Sequence, residues 1–299
     1  MPCRCDWCYF KLKALSFKLT YKVKEMMSER TKRIIEKEQA YIEKKKNKNS
    51  LTNNVRYIKL IVTYDGSAFF GYQYQPDVPT VQGELERAFK LITRGEESRA
   101  VGAGRTDAGV HAIGQVALFR TRCPIPLEKL IIGLNSAIPG SLRISRAEEA
   151  EEGFHPCFSA RGKHYRYQWK LVETLSPFYE RFYWQLTKRP DIEKMKEAAK
   201  VFIGEHDFAA FAKSPQQYES TVRNILQSEL SLKEDILQFD VVGTGFMHNM
   251  VRNMARALYL VGTNQMTAEE IKELYCNHDR RRLGAPAPPG GLYLMRVMY

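Results

Sequence analysis

The sequence predicts an α+β protein made of two packed α+β halves rather than a doubly wound parallel sheet. Strand-like and helix-like segments follow one another in mixed order along both halves of the chain. The chain has 299 residues, of which 44% are hydrophobic and 11% aromatic. Such a chain can bury a core, which argues against disorder, and its length fits one or two domains.

The predicted first half covers residues 55–155. Residues 57–64 (YIKLIVTY) are apolar and β-branched enough for a buried strand, which ends at the turn residues 65–67 (DGS). Thr80 is a predicted helix N-cap, because apolar residues follow it at a helical period. The remaining expected elements are a glycine-rich turn over 102–109, a strand near 114–119, a helix near 127–134 and a strand near 142–145.

The predicted second half covers residues 156–299. Residues 163–171 (KHYRYQWKL) alternate polar and apolar side chains, which predicts a strand. No internal sequence repeat links this half to the first. The expected elements that follow are a helix over 192–203, strands near 222–232 and 237–242, an apolar helix over 248–261 and a final strand over 291–297.

The first 54 residues form a basic extension with a different composition. They hold 14 Lys+Arg and 6 Asp+Glu, a net charge of +8, out of a formal +12 for the whole chain at pH 7. Residues 25–46 lack Pro and Gly and carry a thin apolar stripe at helical spacing, so we expect the extension to be partly helical or disordered. The excess positive charge indicates a polyanionic partner, with a role in solubility as the alternative.

Membrane proteins and disulfide-rich secreted domains are the classes that the sequence excludes. No apolar run reaches the ~18 residues that a membrane-spanning helix needs, so no membrane association is expected. Six cysteines in a chain of this length do not indicate a disulfide framework, so we expect a reducing compartment, the cytoplasm if the source is prokaryotic. Cys3, Cys5 and Cys8 lack the second nearby pair of Cys or His that completes a zinc site, so free thiols are the favoured interpretation and zinc the open alternative.

Residues 102–112 (GAGRTDAGVHA) are the most informative segment for chemistry. Three glycines within eight residues allow unusual backbone angles and close approach by a ligand. They frame Arg105 and Asp107, whose side chains project to the same face if this part of the loop is extended. An Asp beside an Arg stays ionised and can act as a nucleophile or base. Taken alone, the three residues RTD are better explained as a turn held by an ordinary Arg–Asp pair, because such pairs are common surface features.

The same eleven residues resemble the signature of the TruA-type tRNA pseudouridine synthases. Further blocks resemble that family in the same order, from about residue 56 to residue 299. One departure is Tyr72, where many members of the family have tryptophan. The blocks are YDGS at 64–67, GYQYQP at 71–76, TVQGELE at 80–86, NSAIP at 135–139, FHP at 154–156, FSAR at 158–161, YRY at 165–167, GEHDF at 204–208, FMHNMVRN at 246–253 and GGLYL at 290–294.

The resemblance implies the pseudouridine synthase fold, in which a mixed, mostly antiparallel sheet is built from two related α+β halves that flank a central cleft. It implies an isomerase that flips a uridine into the cleft and converts it to pseudouridine, in the anticodon arm of tRNA at positions 38 to 40. The family usually works as a homodimer and needs neither metal nor cofactor. The expected partners are therefore tRNA and a second copy of the chain.

The resemblance also implies roles for four residues. Asp107 aligns with the nucleophile, and Arg105 aligns with the residue that supports the flipped-out uridine. Tyr165 aligns with the tyrosine that stacks on the uracil and is a candidate for the proton transfer. Arg252 aligns with the arginine that pairs with the catalytic carboxylate.

The chemistry of the implied reaction suits these residue types. Isomerisation cleaves the bond from N1 of the base to C1′ of the ribose and joins C5 to C1′, so a carboxylate can assist at the sugar or carry the intermediate. A flipped base is held by stacking and hydrogen bonds, which fits a tyrosine and an apolar Leu292 or Leu294. Because the reaction requires no histidine, loop or capping roles are expected for His111, His155 and His248.

Two functions of other classes stay open as alternatives. A tRNA-binding chaperone with the same fold would not need the complete set of catalytic residue types. A glycosidase-like hydrolase would need a second carboxylate for paired acid and base work, and the sequence offers no convincing one.

Deleting residues 1–50 tests whether the positive charge of the extension contacts RNA. We expect weaker tRNA affinity and a flatter dependence of that affinity on salt, because fewer counterions are released, while site choice and catalysis stay unchanged. Binding titrations at several salt concentrations measure the slope. An unchanged slope after truncation would show that this charge does not contact RNA.

Overall fold

The computed structural model of the protein describes residues 55–299. The predicted basic extension, with its cluster of Cys3, Cys5 and Cys8, lies outside the described residues. The positions and surroundings given below therefore concern the predicted catalytic part of the chain.

The described residues contain a ten-stranded sheet. In chain order its strands are β1 (Arg56–Tyr64), β2 (Val101–Gly102), β3 (His111–Thr121), β4 (Leu142–Ala150), β5 (Gly162–Leu171), β6 (Trp184–Leu186), β7 (Gly204–Asp207), β8 (Val222–Lys233), β9 (Ile236–Gly243) and β10 (Leu292–Met298). They lie in the order β4-β1-β3-β10-β5-β9-β8-β7, with β2 beside β3 and β6 beside β5. β10 is parallel to β3 and β6 is parallel to β5. The pairs β1–β4, β2–β3, β5–β10, β5–β9, β8–β9 and β7–β8 are antiparallel. The predicted mixed, mostly antiparallel sheet is confirmed.

Helices accompany both predicted halves of the described chain. The first half contains α1 (Val81–Ile92) and α2 (Leu127–Ala137), and the second half contains α3 (Ile192–Lys200), α4 (Met250–Gly262) and α5 (Ala268–Asn277). The first of these helices begins at its predicted cap, because the Thr80 side chain accepts a hydrogen bond from the Gly83 N–H. The α+β class predicted from the sequence is therefore confirmed.

Four of these elements, namely β2, β6, β7 and α5, were not predicted from the sequence. β2 has only two residues. β6 and β7 are only three and four residues long, and their sequences (WQL and GEHD) lack a clear alternation. The sequence of α5 does carry a local signal for its start. Thr267 and Glu270 form a capping box, in which each side chain accepts a hydrogen bond from the other residue's backbone N–H.

The last strand, β10, lies between the strands of the two predicted halves. It pairs in parallel with β3 and antiparallel with β5, so the sheet continues from one half into the other. Residues Tyr57–Tyr299 form one compact unit. The boundary predicted near residue 155 falls in the connection between β4 and β5.

The alternating sequence of β5 separates two faces of the sheet. The side chains of Tyr165, Tyr167 and Trp169 are buried, and α4 packs against this strand. On the opposite face, His164 lies against the carboxylate of Asp240 on β9. Because successive side chains of a strand point to opposite faces, Tyr165 belongs to the aromatic face on which the helix packs.

Gly66 allows the turn after β1 to approach the segment that leads into β3. A Cβ atom at this position would lie 2.0 Å from the carbonyl oxygen of Val110. The Gly66 N–H also donates a hydrogen bond of 3.0 Å to Nδ1 of His111, the first residue of β3. The absence of a side chain at residue 66 is therefore a packing requirement.

Gly66→Ala should lower the free energy of unfolding by about 1–3 kcal/mol, because the added methyl group forces two backbone segments apart. Urea denaturation measures this change. Gly140→Ala is the matched control, since the nearest atom to its Cβ position is 3.9 Å away in the flexible Arg143 side chain. Equal stability of Gly66→Ala and the wild-type protein would contradict the packing requirement.

Candidate active site

The glycine-rich segment predicted over residues 102–109 forms the loop that connects β2 to β3, and we call residues 103–110 the catalytic loop. Two buried polar side chains hold it from the sheet side. The phenol of Tyr64 on β1 is 2.8 Å from the Thr106 hydroxyl, and the Gln115 amide on β3 donates to the Gly104 carbonyl at 2.9 Å. The loop is therefore held at Gly104 and Thr106, and Asp107 follows directly after this fixed segment.

The segment before α1 packs directly on the catalytic loop. Gly71 has φ of 92°, and a Cβ there would lie 2.8 Å from the Thr106 carbonyl oxygen. The N–H of Tyr72 donates to that same oxygen at 3.1 Å. The Tyr72 side chain is buried, and its phenol donates to the Ala100 carbonyl. The aromatic residue at which this chain departs from many relatives is therefore a core residue.

Asp107 lies between two nitrogen donors. Its Oδ2 is 3.2 Å from Nη1 of Arg252, and its Oδ1 is 3.1 Å from Nε2 of His248. Burial alone would raise the pKa of Asp107, but the hydrogen bonds and charges of His248 and Arg252 outweigh that effect and hold the pKa below its ordinary value. With its side chain 26% exposed, Asp107 is an ionised carboxylate that remains accessible.

Arg252 reaches the catalytic loop from the first turn of α4. Its Nε donates to the Ala287 carbonyl at 2.7 Å, and its Nη1 also donates to the Asn249 side chain at 3.2 Å. Asn249 precedes the helix in a left-handed conformation, with φ of 63°. The guanidinium is thus oriented before it pairs with Asp107, which lies 145 residues earlier in the sequence.

His248 was expected to have a loop or capping role, and the structure corrects that expectation. It lies in the loop before α4, where its N–H donates to the Tyr218 phenol and its carbonyl accepts from the Lys213 N–H. Its side chain, 45% exposed, reaches Asp107. The sequence carried no signal for this contact, because His248 precedes the helix and no helical spacing relates it to Arg252.

His111 and His155 have the loop and capping contacts expected of them. His111 accepts a hydrogen bond from Gly66, and its Nε2 lies 2.7 Å from the Arg181 carbonyl. His155 accepts hydrogen bonds at Nδ1 from the N–H groups of Cys157 and Phe158. Both are buried structural groups.

Tyr165 lies on β5 close enough to the carboxylate to be affected by its charge. Burial raises the pKa of the phenol, and the negative charge of Asp107 adds to the increase. The ring of Phe246 meets it edge-on, with centroids 5.0 Å apart. Tyr165 is therefore a neutral phenol at physiological pH, able to donate a hydrogen bond but not to serve as a phenolate base.

The other predicted site residues lie in two places. Leu292 and Leu294 are buried on β10, where Leu294 is paired with Tyr165 and Leu292 with Tyr167. Because paired residues share a face of the sheet, Leu294 is the direct neighbour of the site tyrosine and Leu292 is one pair further along. Arg105 is exposed on the catalytic loop, two residues before Asp107.

This arrangement suits nucleophilic chemistry. It offers one accessible ionised carboxylate, two donors that hold it and a neutral phenol beside it. Across residues 55–299, no group of three or more His, Cys, Asp or Glu side chains is placed to hold a metal ion. Within the same range, no helix is long and apolar enough to cross a membrane.

Comparison with known proteins agrees with the motifs and the fold. Residues 60–159 and 198–299 match the family described as tRNA pseudouridine synthase. The protein named tRNA pseudouridine synthase A from Citrifermentans bemidjiense is 42% identical over 246 residues, which cover 82% of this chain and 98% of that protein. The protein of the same name from Thermoanaerobacter sp. (strain X514) is 38% identical over 245 residues, which cover 82% of this chain and 100% of that protein. The chain therefore belongs to the tRNA pseudouridine synthase family.

Proposed function

We propose that this protein converts uridine to pseudouridine in tRNA and that Asp107 is its nucleophile. The names of its relatives support the reaction and the substrate. The observation that carries the assignment of the nucleophile is the ionised, accessible carboxylate held between Arg252 and His248. Membership of the family also identifies the enzyme as an isomerase.

The reaction needs an anionic group at the face of the flipped nucleoside. The bond from N1 to C1′ breaks, the uracil turns and the bond from C5 to C1′ forms. C5 then loses its proton and N1 gains one, so substrate and product are isomers. A carboxylate can assist by attacking C1′, by removing the C2′ proton as the base leaves to give a glycal-like species, or by adding to C6 of the uracil, and each route requires that it be ionised. The lowered pKa of Asp107 meets that requirement throughout the neutral range.

The neighbouring residues then have distinct roles. Arg252 fixes the carboxylate and keeps it ionised in the presence of the polyanionic substrate. Tyr165 stacks on the uracil and donates hydrogen bonds as a neutral phenol, with Leu292 on the apolar side of the pocket. Leu294 is fully buried and supports Tyr165 as its partner in the sheet. Arg105, exposed on the catalytic loop, supports the flipped-out uridine.

The finer assignments follow from the family resemblance. We place the target in the anticodon arm of tRNA, at positions 38 to 40, and expect a homodimer in which one subunit helps to position tRNA for the other. Carbodiimide mapping of pseudouridine in tRNA from cells with and without the gene tests the positions. Sedimentation of the purified protein tests the dimer.

Asp107→Asn should abolish pseudouridine formation while leaving tRNA affinity largely intact, because the amide preserves shape but removes the nucleophile. Release of tritium from C5-labelled uridine in tRNA measures the reaction, since isomerisation releases this label and neither binding nor base excision does. Glu197→Gln, an isosteric change on the exposed surface of α3, is the control and should retain full activity. Full turnover by Asp107→Asn would refute the nucleophile assignment.

His248→Ala should raise the pKa of Asp107, because it removes a hydrogen bond and a charge that favour the carboxylate while leaving the burial that opposes it. An acid with a lowered pKa loses its ionised form only when the pH falls through that pKa, so the acidic limb of the single-turnover rate should move to higher pH in the variant. A ¹³C NMR titration of the Asp107 carboxyl, assigned by its loss in Asp107→Asn, measures the pKa directly. The same pKa with and without His248 would show that this histidine does not act on the carboxylate.

A further inference from the structure

Phe70, in the segment that packs on the catalytic loop, is exposed and has no role in the proposed reaction. In the segment before α1, Phe69 and Tyr72 are buried, whereas Phe70 is 56% exposed. Phe69 packs edge-on against Tyr64, but within the described residues the ring of Phe70 has no aromatic or cationic partner. The exposed ring of Phe70 is therefore available to a ligand.

The backbone that carries Phe70 is firmly held. The Phe70 N–H donates to the Pro79 carbonyl at 2.8 Å, and the next two carbonyls, of Gly71 and Tyr72, accept hydrogen bonds from the first residues of α1. The Gln75 amide donates to the Phe70 carbonyl at 2.8 Å. Phe70 is therefore displayed on a pinned segment, which lowers the entropic cost of using it as a binding surface.

The same segment places Phe70 next to Asp107. The Cβ position of Gly71 is 2.8 Å from the Thr106 carbonyl oxygen and 3.4 Å from the carbonyl carbon of Asp107. Consecutive Cα atoms are about 3.8 Å apart, so the Cα of Phe70 lies within roughly 9 Å of the Asp107 backbone. A nucleotide adjacent to one bound at Asp107 can span this distance.

We propose that Phe70 is a stacking subsite for the base of a nucleotide next to the target uridine. The inference rests on the proposed function. Flipping the uridine out removes a stacking partner from its neighbour, and an aromatic ring at the mouth of the site replaces that partner. A phenylalanine ring has no hydrogen-bonding groups, so the subsite accepts any of the four bases.

Alanine, leucine and tyrosine substitutions separate stacking from simple apolar contact. Phe70→Ala should lower kcat/KM for tRNA by about 5- to 150-fold, the range found when a base-stacking aromatic is removed. Phe70→Leu, which keeps the apolar bulk without the π face, should show most of that loss, and Phe70→Tyr should restore activity. Ile132→Ala, at an apolar side chain that is 67% exposed on α2, is the matched control and should behave as wild type.

An abasic nucleotide in the substrate identifies the contact. Placed in turn at the positions immediately 5′ and 3′ of the target, it should reduce kcat/KM of the wild-type enzyme at one of them by about the same factor as Phe70→Ala, and it should cause no further loss in Phe70→Ala. Unchanged thermal unfolding of the variants shows that the fold is intact, as expected for an exposed side chain.

The outcomes distinguish the subsite from the underlying function. Absence of tritium release by the wild-type protein would refute the proposed function itself. An active wild type with equally active Phe70→Ala, a Phe70→Leu variant equal to wild type, or abasic losses that add fully to that of Phe70→Ala would each overturn the subsite and leave the proposed function standing.

Discussion

The ion pair between Asp107 and Arg252 is the interaction on which the rest of the site depends. It joins the loop after β2 to the first turn of α4, and so it forms only when both predicted halves of the chain are in place. Removing two charges from water lowers the stability of the folded protein unless the charges are paired and hydrogen-bonded. Here the guanidinium is already oriented by Asn249 and Ala287, and the carboxylate has a second donor in His248.

The surrounding packing explains why the carboxylate is both ionised and reactive. Tyr64 and Gln115 hold the catalytic loop through the Thr106 hydroxyl and the Gly104 carbonyl. Because residue 71 is a glycine, the segment before α1 can pack directly against the backbone of the loop. The Asp107 carboxylate contacts His248 and Arg252 and is otherwise partly exposed to solvent. A substrate that displaces this solvent strengthens the electrostatic interactions of the carboxylate, since the local dielectric constant falls.

Local sequence patterns predicted most of the elements, because alternation, helical periodicity and the Thr80 cap act over short distances. The site residues were predicted from the family resemblance of the motifs that contain them. What local patterns could not predict depends on contacts between distant segments. β6 and β7 are strands only because β5 and β8 lie beside them. His248 lies near Asp107 because of how the loop before α4 packs. Leu294 pairs with Tyr165 because of the register between their strands. A local sequence pattern contains neither the packing of a loop nor the register of a strand.

A double-mutant cycle on the free energy of unfolding tests the central ion pair most directly. The cycle compares wild type, Asp107→Asn, Arg252→Gln and the double variant by urea denaturation at neutral pH. If the pair joins the two segments as described, the two substitutions are non-additive, with a favourable coupling of about 0.5–3 kcal/mol between the original side chains. Additive effects would contradict the account, because they would mean that neither charge senses the other in the folded protein.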